Sequence, residues 1–357
     1  MSILVSPDHP ELTYMGRTEL YKGFPRFVFA GTMVTIRFKG TEIRCVIRNH
    51  KFFNKQELGY VLNGIVGKVT FEQSEDDITL TLADNLTDTV HTLTLFKRQD
   101  ASHYFEFKGF LLNDGAELLP ADPLPKRRIE CYGDSVSAGA VTEAVEHTAT
   151  VDPILHEGIY DNAWYAFPMI TARNLGAAIN NIAQGGIAVY DRTGWYHAPD
   201  YIGMETAYDK VCYFPEAEGG FTEWDFSKYT PHVVIVAIGQ NDQHNEKWEY
   251  ETGTENFIGE PKFREYWKDG YKRIVRSLRE KYPKAFIILT LTVLRHDSGW
   301  DDALDEIVSE LADSRIVHFR FTRTGAATPG HPRIPEQYEM AEELTCFISN
   351  TEGVWED

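Results

Sequence analysis

The 357-residue chain predicts an α/β architecture, a domain built on a five-stranded parallel sheet preceded by an antiparallel β-sandwich. Three observations carry this. The first third alternates apolar and polar side chains with period two. A proline-rich, basic stretch then interrupts it, and beyond that short continuous apolar runs alternate with helical patterns. Length points the same way, since chains beyond about 250–300 residues divide into more than one core.

Val34–Lys39, Ile78–Leu82 and Phe105–Lys108 alternate strictly, and Ile43–Arg48 nearly does. Period two, with Gly or Asn/Asp clusters between runs, means antiparallel strands with one wet face. No helical pattern occurs before residue 120, so a β-sandwich of jelly-roll type is expected over 1–120. Pro120, Pro123 and Pro125, followed by Lys126-Arg127-Arg128, mark a linker at 121–128, and the second domain fills 129–357. There Ile129–Tyr132, Ala178–Ala183, Val233–Ile238, Phe286–Leu291 and Ile316–Phe319 read as buried strands. Phe263, Tyr266, Trp267, Tyr271, Ile274, Val275 and Leu278 form one apolar stripe at helical spacing. Further helices are expected at Trp164–Leu175, Ala303–Leu311 and near Pro335–Ile348. The stretch Tyr196–Tyr229 is too long and irregular for a plain connection and reads as a functional loop or lid.

A net charge of −19 argues against nucleic acid or an anionic membrane as partner, because both need clustered Lys and Arg. No apolar run approaches the ~20 residues of a membrane span. Cys45, Cys131, Cys212 and Cys346 lack C-x-x-C spacing and suit a reducing compartment, with Cys131 a small buried hydrophobe. The first residues lack a basic segment followed by an apolar core, so no export signal is visible and a cytoplasmic location is expected.

The chemistry concentrates at strand ends. Ile129–Tyr132 runs into Gly133-Asp134-Ser135, and glycine returns at Gly139. Ser135 alone reads as a helix N-cap. Three groups downstream change that reading. Gly185-Gly186 follows the second strand, Gly239-Gln240-Asn241-Asp242 follows the third, and Gly330-His331-Pro332 lies between the last strand and the last helix. Open α/β sheets place their sites at the carboxyl ends of strands. Ester hydrolysis by a serine needs a nucleophile, a base and donors for an oxyanion. Ser135 and His331 fill the first two roles. The Ser135 N–H, the Gly186 N–H (with Gly185 as the alternative) and the Asn241 side-chain amide fill the third. Asp134 and Asp242 read as acceptors that orient the site loops. His232, His244, His296 and His318 lack the setting of His331 and read as surface or packing residues. Asp242, His244 and Glu246 alternate, but without further ligands at metal spacing no metal is expected, nor any organic cofactor.

This order of Ser, Gly, Asn and His resembles the four blocks of the SGNH, or GDSL-like, esterases. The segments Gly31-Thr32, Phe38-Lys39-Gly40-Thr41, Leu95-Phe96-Lys97-Arg98 and Asn162-Ala163-Trp164 through Gly176-Ala177 resemble carbohydrate esterase family 2. That resemblance implies a jelly roll fused to an SGNH hydrolase, and removal of O-acetyl groups from xylo- or manno-oligosaccharides through an acyl-enzyme. A lipase or thioesterase acting on short acyl esters, and a sugar-binding protein without catalysis, are the alternatives. In one place the chain departs from the SGNH pattern, which carries aspartate three residues before the histidine. Thr328 stands there, and no acidic residue occurs between Asp313 and Glu336. Either a backbone carbonyl or a distant carboxylate must hold the imidazole. Sugar faces stack on aromatic rings, which makes Trp164, Tyr190, Trp195, Tyr196 and Trp300, all near the site loops, candidate platforms.

Overall fold

The computed structural model describes residues 2–100, 102–244 and 257–356. Its N-terminal part is two antiparallel sheets. One holds β1 (Ile3–Val5), β3 (Thr18–Tyr21), β4 (Phe24–Phe27), β6 (Ile43–Lys51), β9 (Ile78–Ala83) and β11 (His103–Leu112). Its order is β3-β4-β11-β6-β9, with β1 pairing β11. The other holds β2 (Thr13–Met15), β5 (Met33–Gly40), β7 (Gln56–Leu62), β8 (Ile65–Phe71), β10 (Thr89–Lys97) and β12 (Glu117–Leu119). Its order is β12-β5-β10-β7-β8, with β2 on β5. Val34, Ile36 and Phe38 from β5 meet Phe105, Phe107 and Phe110 from β11 in one core, which makes the pair of sheets a sandwich. The period-two pattern is the cause, because it gives each strand one apolar face to bury.

The C-terminal part is a five-stranded parallel sheet of β13 (Arg127–Gly133), β14 (Ala177–Ala183), β17 (Val233–Ala237), β18 (Phe286–Leu289) and β19 (Ile316–His318) in the order β14-β13-β17-β18-β19. Its helices are α1 (Ser135–Ala138), α2 (Phe167–Asn174), α3 (Met204–Ala207), α4 (Pro261–Lys281), α5 (Gly299–Leu311) and α6 (Ile334–Ser349). Ile129, Cys131, Val233 and Ile235 face α2 and α6, whereas Tyr132, Val234 and Val236 face α4 and α5. Both faces are covered, so the strands read as unbroken apolar runs. From β13 the chain steps first to β14 on one side and later to β17 on the other, and that reversal opens a crevice at the strand ends.

The segment expected to be a loop or lid carries short structure: α3 and a two-stranded ribbon of β15 (Lys210–Cys212) and β16 (Thr222–Glu223). Much of it is packing material between the two parts. Tyr213 stacks on Phe29 at 4.9 Å, and Phe214 stacks on Phe52 at 4.8 Å. Apolar area removed from water there holds the sandwich on the parallel-sheet layer. Cys45, Cys131 and Cys212 are buried and Cys346 exposed, all as free thiols.

A second tie is ionic. Arg17, between β2 and β3, reaches the parallel sheet and donates to Glu130 Oε1 at 3.0 Å and to the Tyr132 hydroxyl at 2.7 Å. It also donates to the carbonyls of Tyr208 and Lys210. Glu130 further accepts from Tyr282 and Asn180, and both charged side chains are wholly buried. Breaking such a pair leaves an uncompensated charge. Glu130→Gln is therefore expected to lower unfolding free energy by about 3–5 kcal/mol, read from urea melts. A loss under about 1 kcal/mol would reject this account of how the two parts are held.

Candidate active site

The end of β13 turns sharply into α1. Asp134 caps that helix by accepting from the Val136 N–H at 3.0 Å, leaving Ser135 as the first helical residue. Burial pushes the Asp134 carboxyl up to about 6, against the opposing effect of this backbone hydrogen bond. The glycines of the motif have steric reasons. A Cβ on Gly133 would sit 2.2 Å from Ser137 Oγ, and one on Gly139 would sit 2.5 Å from the Asn162 carbonyl. Gly139 also ends α1 at φ +83°, a left-handed conformation that favours glycine.

Ser135 Oγ lies 2.8 Å from His331 Nε2, although the two are 196 residues apart in the chain. The other ring nitrogen, Nδ1, meets Asp152 Oδ2 at 2.6 Å. The departure seen at Thr328 is thus filled by a distant carboxylate, on the loop between α1 and α2. Thr328 is buried and donates its hydroxyl to the Gly330 carbonyl at 3.0 Å, steadying the turn before His331. Asp152 is seated against that turn. Its Oδ1 accepts from the His331 backbone N–H at 2.9 Å and from Arg333 Nη2 at 2.8 Å. A Cβ on Gly330 would fall 2.6 Å from Asp152 Oδ1, so only glycine lets the loop approach. Glu336 completes the clamp by accepting from Arg333 N–H and Ala149 N–H, at 2.8 and 3.1 Å.

These contacts set the protonation states. Burial by itself would raise the Asp152 carboxyl, but His331 and Arg333 outweigh it and hold it well below the usual carboxylate range. Burial would likewise lower His331; the hydrogen bond and charge of Asp152, helped by Asp134 and Asp161, hold it above its ordinary value.

The expected oxyanion donors converge beside Ser135. Gly186 has φ +77°, and a Cβ there would sit 2.9 Å from Trp195 Cβ. The Gly185 N–H is already engaged, donating to Asp100 Oδ2 at 2.8 Å. Among the described residues the N–H groups of Ser135 and Gly186 make no hydrogen bond within the protein, which favours Gly186 over Gly185 as a donor. One N–H of the Asn241 amide holds the Ile187 carbonyl at 3.0 Å, which orients the other. Asp242, fully buried and pushed up to about 8 by burial, accepts twice from the Val189 N–H at 3.1 Å and so anchors the chain just beyond Gly186. A hydroxyl, an imidazole hydrogen-bonded to a carboxylate, and unengaged N–H donors share one cleft of about 550 Å³, the set that serine-based acyl transfer needs.

Only part of the aromatic set lines this cleft. Trp195 is 60% exposed on the rim and stacks face to face on His244 at 3.8 Å, leaving its other face to solvent. Tyr196 also lines the cleft, and its hydroxyl is buried with no protein partner among the described residues. The other three are packing residues. Tyr190 is buried against Tyr266 at 4.2 Å, and Trp300 is buried edge-on to Phe263 and Trp267. Trp164 is sandwiched by Phe96 and Arg173 away from the cleft. The apolar area of these rings is used to hold layers together, which the chain neighbourhood could not reveal. His296 and His318 share Asp301 outside the Ser135 hydrogen-bond chain, and Glu246 lies outside the described residues. Among the described residues no helix is long and apolar enough to cross a membrane.

Two family models match the chain. A family described as carbohydrate esterase 2 N-terminal matches residues 14–122, and the GDSL-like lipase/acylhydrolase family matches 131–339. The cellulase/esterase CelE of Acetivibrio thermocellus is 29% identical over 97% of this chain and 40% of its own length. An acetylxylan esterase/glucomannan deacetylase of Cellvibrio japonicus is 28% identical over 65% of this chain and 59% of its own. The chain thus spans less than two thirds of either curated relative. A family two carbohydrate esterase from Clostridium thermocellum, solved with cellohexaose, superposes with TM-score 0.76 at 26% identity, covering 96% of this chain and 99% of that one. An acetyl xylan esterase from the rumen bacterium Butyrivibrio proteoclasticus, 19% identical and matched over 100% of both chains with TM-score 0.80, shares the fold.

Proposed function

We propose that this chain, which belongs to the GDSL-like lipase/acylhydrolase family and opens with a carbohydrate esterase 2 N-terminal domain, is a serine esterase that removes acetyl groups from xylo- or manno-oligosaccharides. The observation that carries the reading is the hydrogen-bond chain Ser135–His331–Asp152 opening onto a cleft with unengaged backbone donors. Similarity to proteins named for xylan and glucomannan deacetylation supports a sugar ester as substrate.

In this mechanism His331 Nε2 takes the Ser135 proton as Oγ attacks the acetyl carbonyl. The oxyanion is held by the Ser135 N–H, the Gly186 N–H and the Asn241 amide, each donor worth about 3 kcal/mol in the transition state. His331 then returns its proton to the departing sugar oxygen. Next it takes one from water, whose attack on the acetyl-enzyme releases acetate and restores Ser135. Asp152 keeps the imidazole proton on Nδ1 and stabilises the cation formed at each transfer.

The lining favours sugar over a fatty chain. Asp100, Asp161, His156, Gln240 and Arg295 surround the cleft, and two exposed aromatic side chains that line it, Trp195 and Phe53, are offered to a pyranose ring. The strand orders β4-β11-β6-β9 and β5-β10-β7-β8, with the chain alternating between sheets, support a jelly roll for the N-terminal sandwich. The four free thiols support a reducing, cytoplasmic setting, where substrates would be short.

An NMR time course on acetylated xylo- and manno-oligosaccharides tests the proposal. Acetyl signals should convert to free acetate. On p-nitrophenyl esters the rate should drop at least tenfold from acetate to octanoate. Faster turnover of octanoate would reject an acetylesterase in favour of a lipase, and faster turnover of insoluble acetylxylan than of soluble oligomers would reject the intracellular setting.

A further inference from the structure

The connection from β10 to β11 crosses from the sandwich into the hydrolase domain one residue at a time. The Arg98 carbonyl accepts from the Ala163 N–H at 2.9 Å, and its guanidinium donates to Glu143 as well as to Glu57. The Gln99 amide donates to the Gly158 carbonyl at 3.1 Å. Asp100 then reaches the oxyanion loop. Its Oδ2 accepts from the Gly185 N–H at 2.8 Å and from Gln184 Nε2 at 3.3 Å. The turn that presents it is stapled from inside: Lys97, fully buried, donates its ammonium to the carbonyls of Gln99 and Asp100.

We infer that Asp100 is a positioning residue for the proposed esterase reaction, through which the N-terminal domain orients the Gly186 N–H toward the oxyanion. This rests on the reading of Ser135 as nucleophile. Three observations bear on it. First, a Cβ on Gly185 would lie 2.3 Å from Asp100 Oδ2 and 3.7 Å from Ser135 Cβ, so the glycine sits between the carboxylate and the nucleophile turn and lets the carboxylate approach the loop. Second, further hydrogen bonds hold the loop on either side of Gly185. Gln184 donates from its backbone to the Gly133 carbonyl at 3.1 Å, its side-chain carbonyl accepts from the Tyr213 hydroxyl at 2.5 Å, and the Gly186 carbonyl accepts from the Trp195 N–H at 2.8 Å. Asp100 pins the Gln184–Gly185 peptide and Trp195 holds the Gly186 carbonyl, so the Gly185–Gly186 peptide between them, which two glycines alone would leave soft, is limited in how far it can turn its N–H. Third, a negative charge hydrogen-bonded to the loop that would hold an oxyanion is electrostatically unfavourable, so charge cannot be what recommends the carboxylate. The accepting oxygen is what the loop uses.

That last point makes the inference testable by separating charge from hydrogen bonding. Asp100→Asn keeps an acceptor of the same shape, whereas Asp100→Ala and Asp100→Ser cannot reach the Gly185 N–H. On p-nitrophenyl acetate, the Ala and Ser variants should lose at least tenfold in kcat with KM within twofold. Binding of a boronic acid, whose tetrahedral adduct occupies the oxyanion site, should weaken by a similar factor. The Asn variant should keep kcat within threefold of the parent. Retained kcat in a folded Ala or Ser variant, or equal loss in the Asn variant, would overturn the role. Should Ala fail to fold, Ser carries the comparison. Organophosphonate labelling of Ser135 in the parent protein keeps the two questions apart: no labelling refutes the nucleophile itself, whereas normal parental labelling with unaffected variants refutes only Asp100.

Discussion

Ser135→Ala is expected to lower kcat for acetate release roughly 10⁴–10⁶-fold while leaving oligosaccharide binding nearly unchanged. In the proposed mechanism the Ser135 oxygen forms the acyl bond, and among the described residues no neighbouring group is placed to substitute for it: Ser137 Oγ packs under Gly133, and Asp134 is turned back to cap its own helix. Removing one oxygen leaves the donors and the Trp195 platform intact, so the residual rate reports what binding and the oxyanion site provide without covalent catalysis. Titration calorimetry with an acetylated xylo-oligosaccharide checks the binding half. A variant that still releases acetate at more than about a hundredth of the parental rate would remove Ser135 from the mechanism.

The second large effect is expected at Asp152. Asp152→Asn should cut kcat by roughly 10²–10⁴-fold, because an amide can present an N–H to Nδ1 and favour the tautomer that leaves Nε2 protonated and unable to act as base. The pH profile carries a distinct signature. His331 must be neutral to accept the serine proton, so kcat/KM falls as pH drops through its pKa, which Asp152 holds above the ordinary histidine value of 6.5. Without that carboxylate the imidazolium loses its hydrogen bond and counter-charge. The acidic limb then moves to lower pH even as the maximum rate drops. A limb that stays in place would show that the charge of Asp152 is not felt at the base. Arg333, which is fully buried and donates to Asp152, loses an anionic partner in the same variant, so melting temperatures should be compared alongside the kinetics.

Much of this was readable without coordinates. The strict alternation of Val34–Lys39 appears as β5, the unbroken run Val233–Ala237 as β17, and the stripe from Phe263 to Leu278 as the buried face of α4. The Ser, Gly, Asn and His segments stand at neighbouring strand ends, as their order implied. Other features were not readable. The sequence around Asp152 has no periodicity and no spacing to His331, and the two residues are 179 positions apart. Gly330 is a faint signal, since a glycine before the histidine hints at a close approach without naming what approaches. Trp164, Tyr190 and Trp300 pack away from the cleft that Trp195 and Tyr196 line, for a related reason. A tryptophan in a site loop and one on a helix face have the same local chemistry, and only the fold decides that Trp195 meets solvent while Trp300 meets Trp267.

The sequence by itself determined the class of each half and the candidates for nucleophile, base and oxyanion donors. Those depend on hydropathy period and on residue types next to strand ends, interactions that act over a few neighbours. Tertiary structure alone decided which acid holds the histidine, which ring faces the cleft, and that the sandwich supplies Asp100 to the oxyanion loop. Those contacts join segments that only loop closure and domain packing bring together, and no local pattern encodes such a meeting.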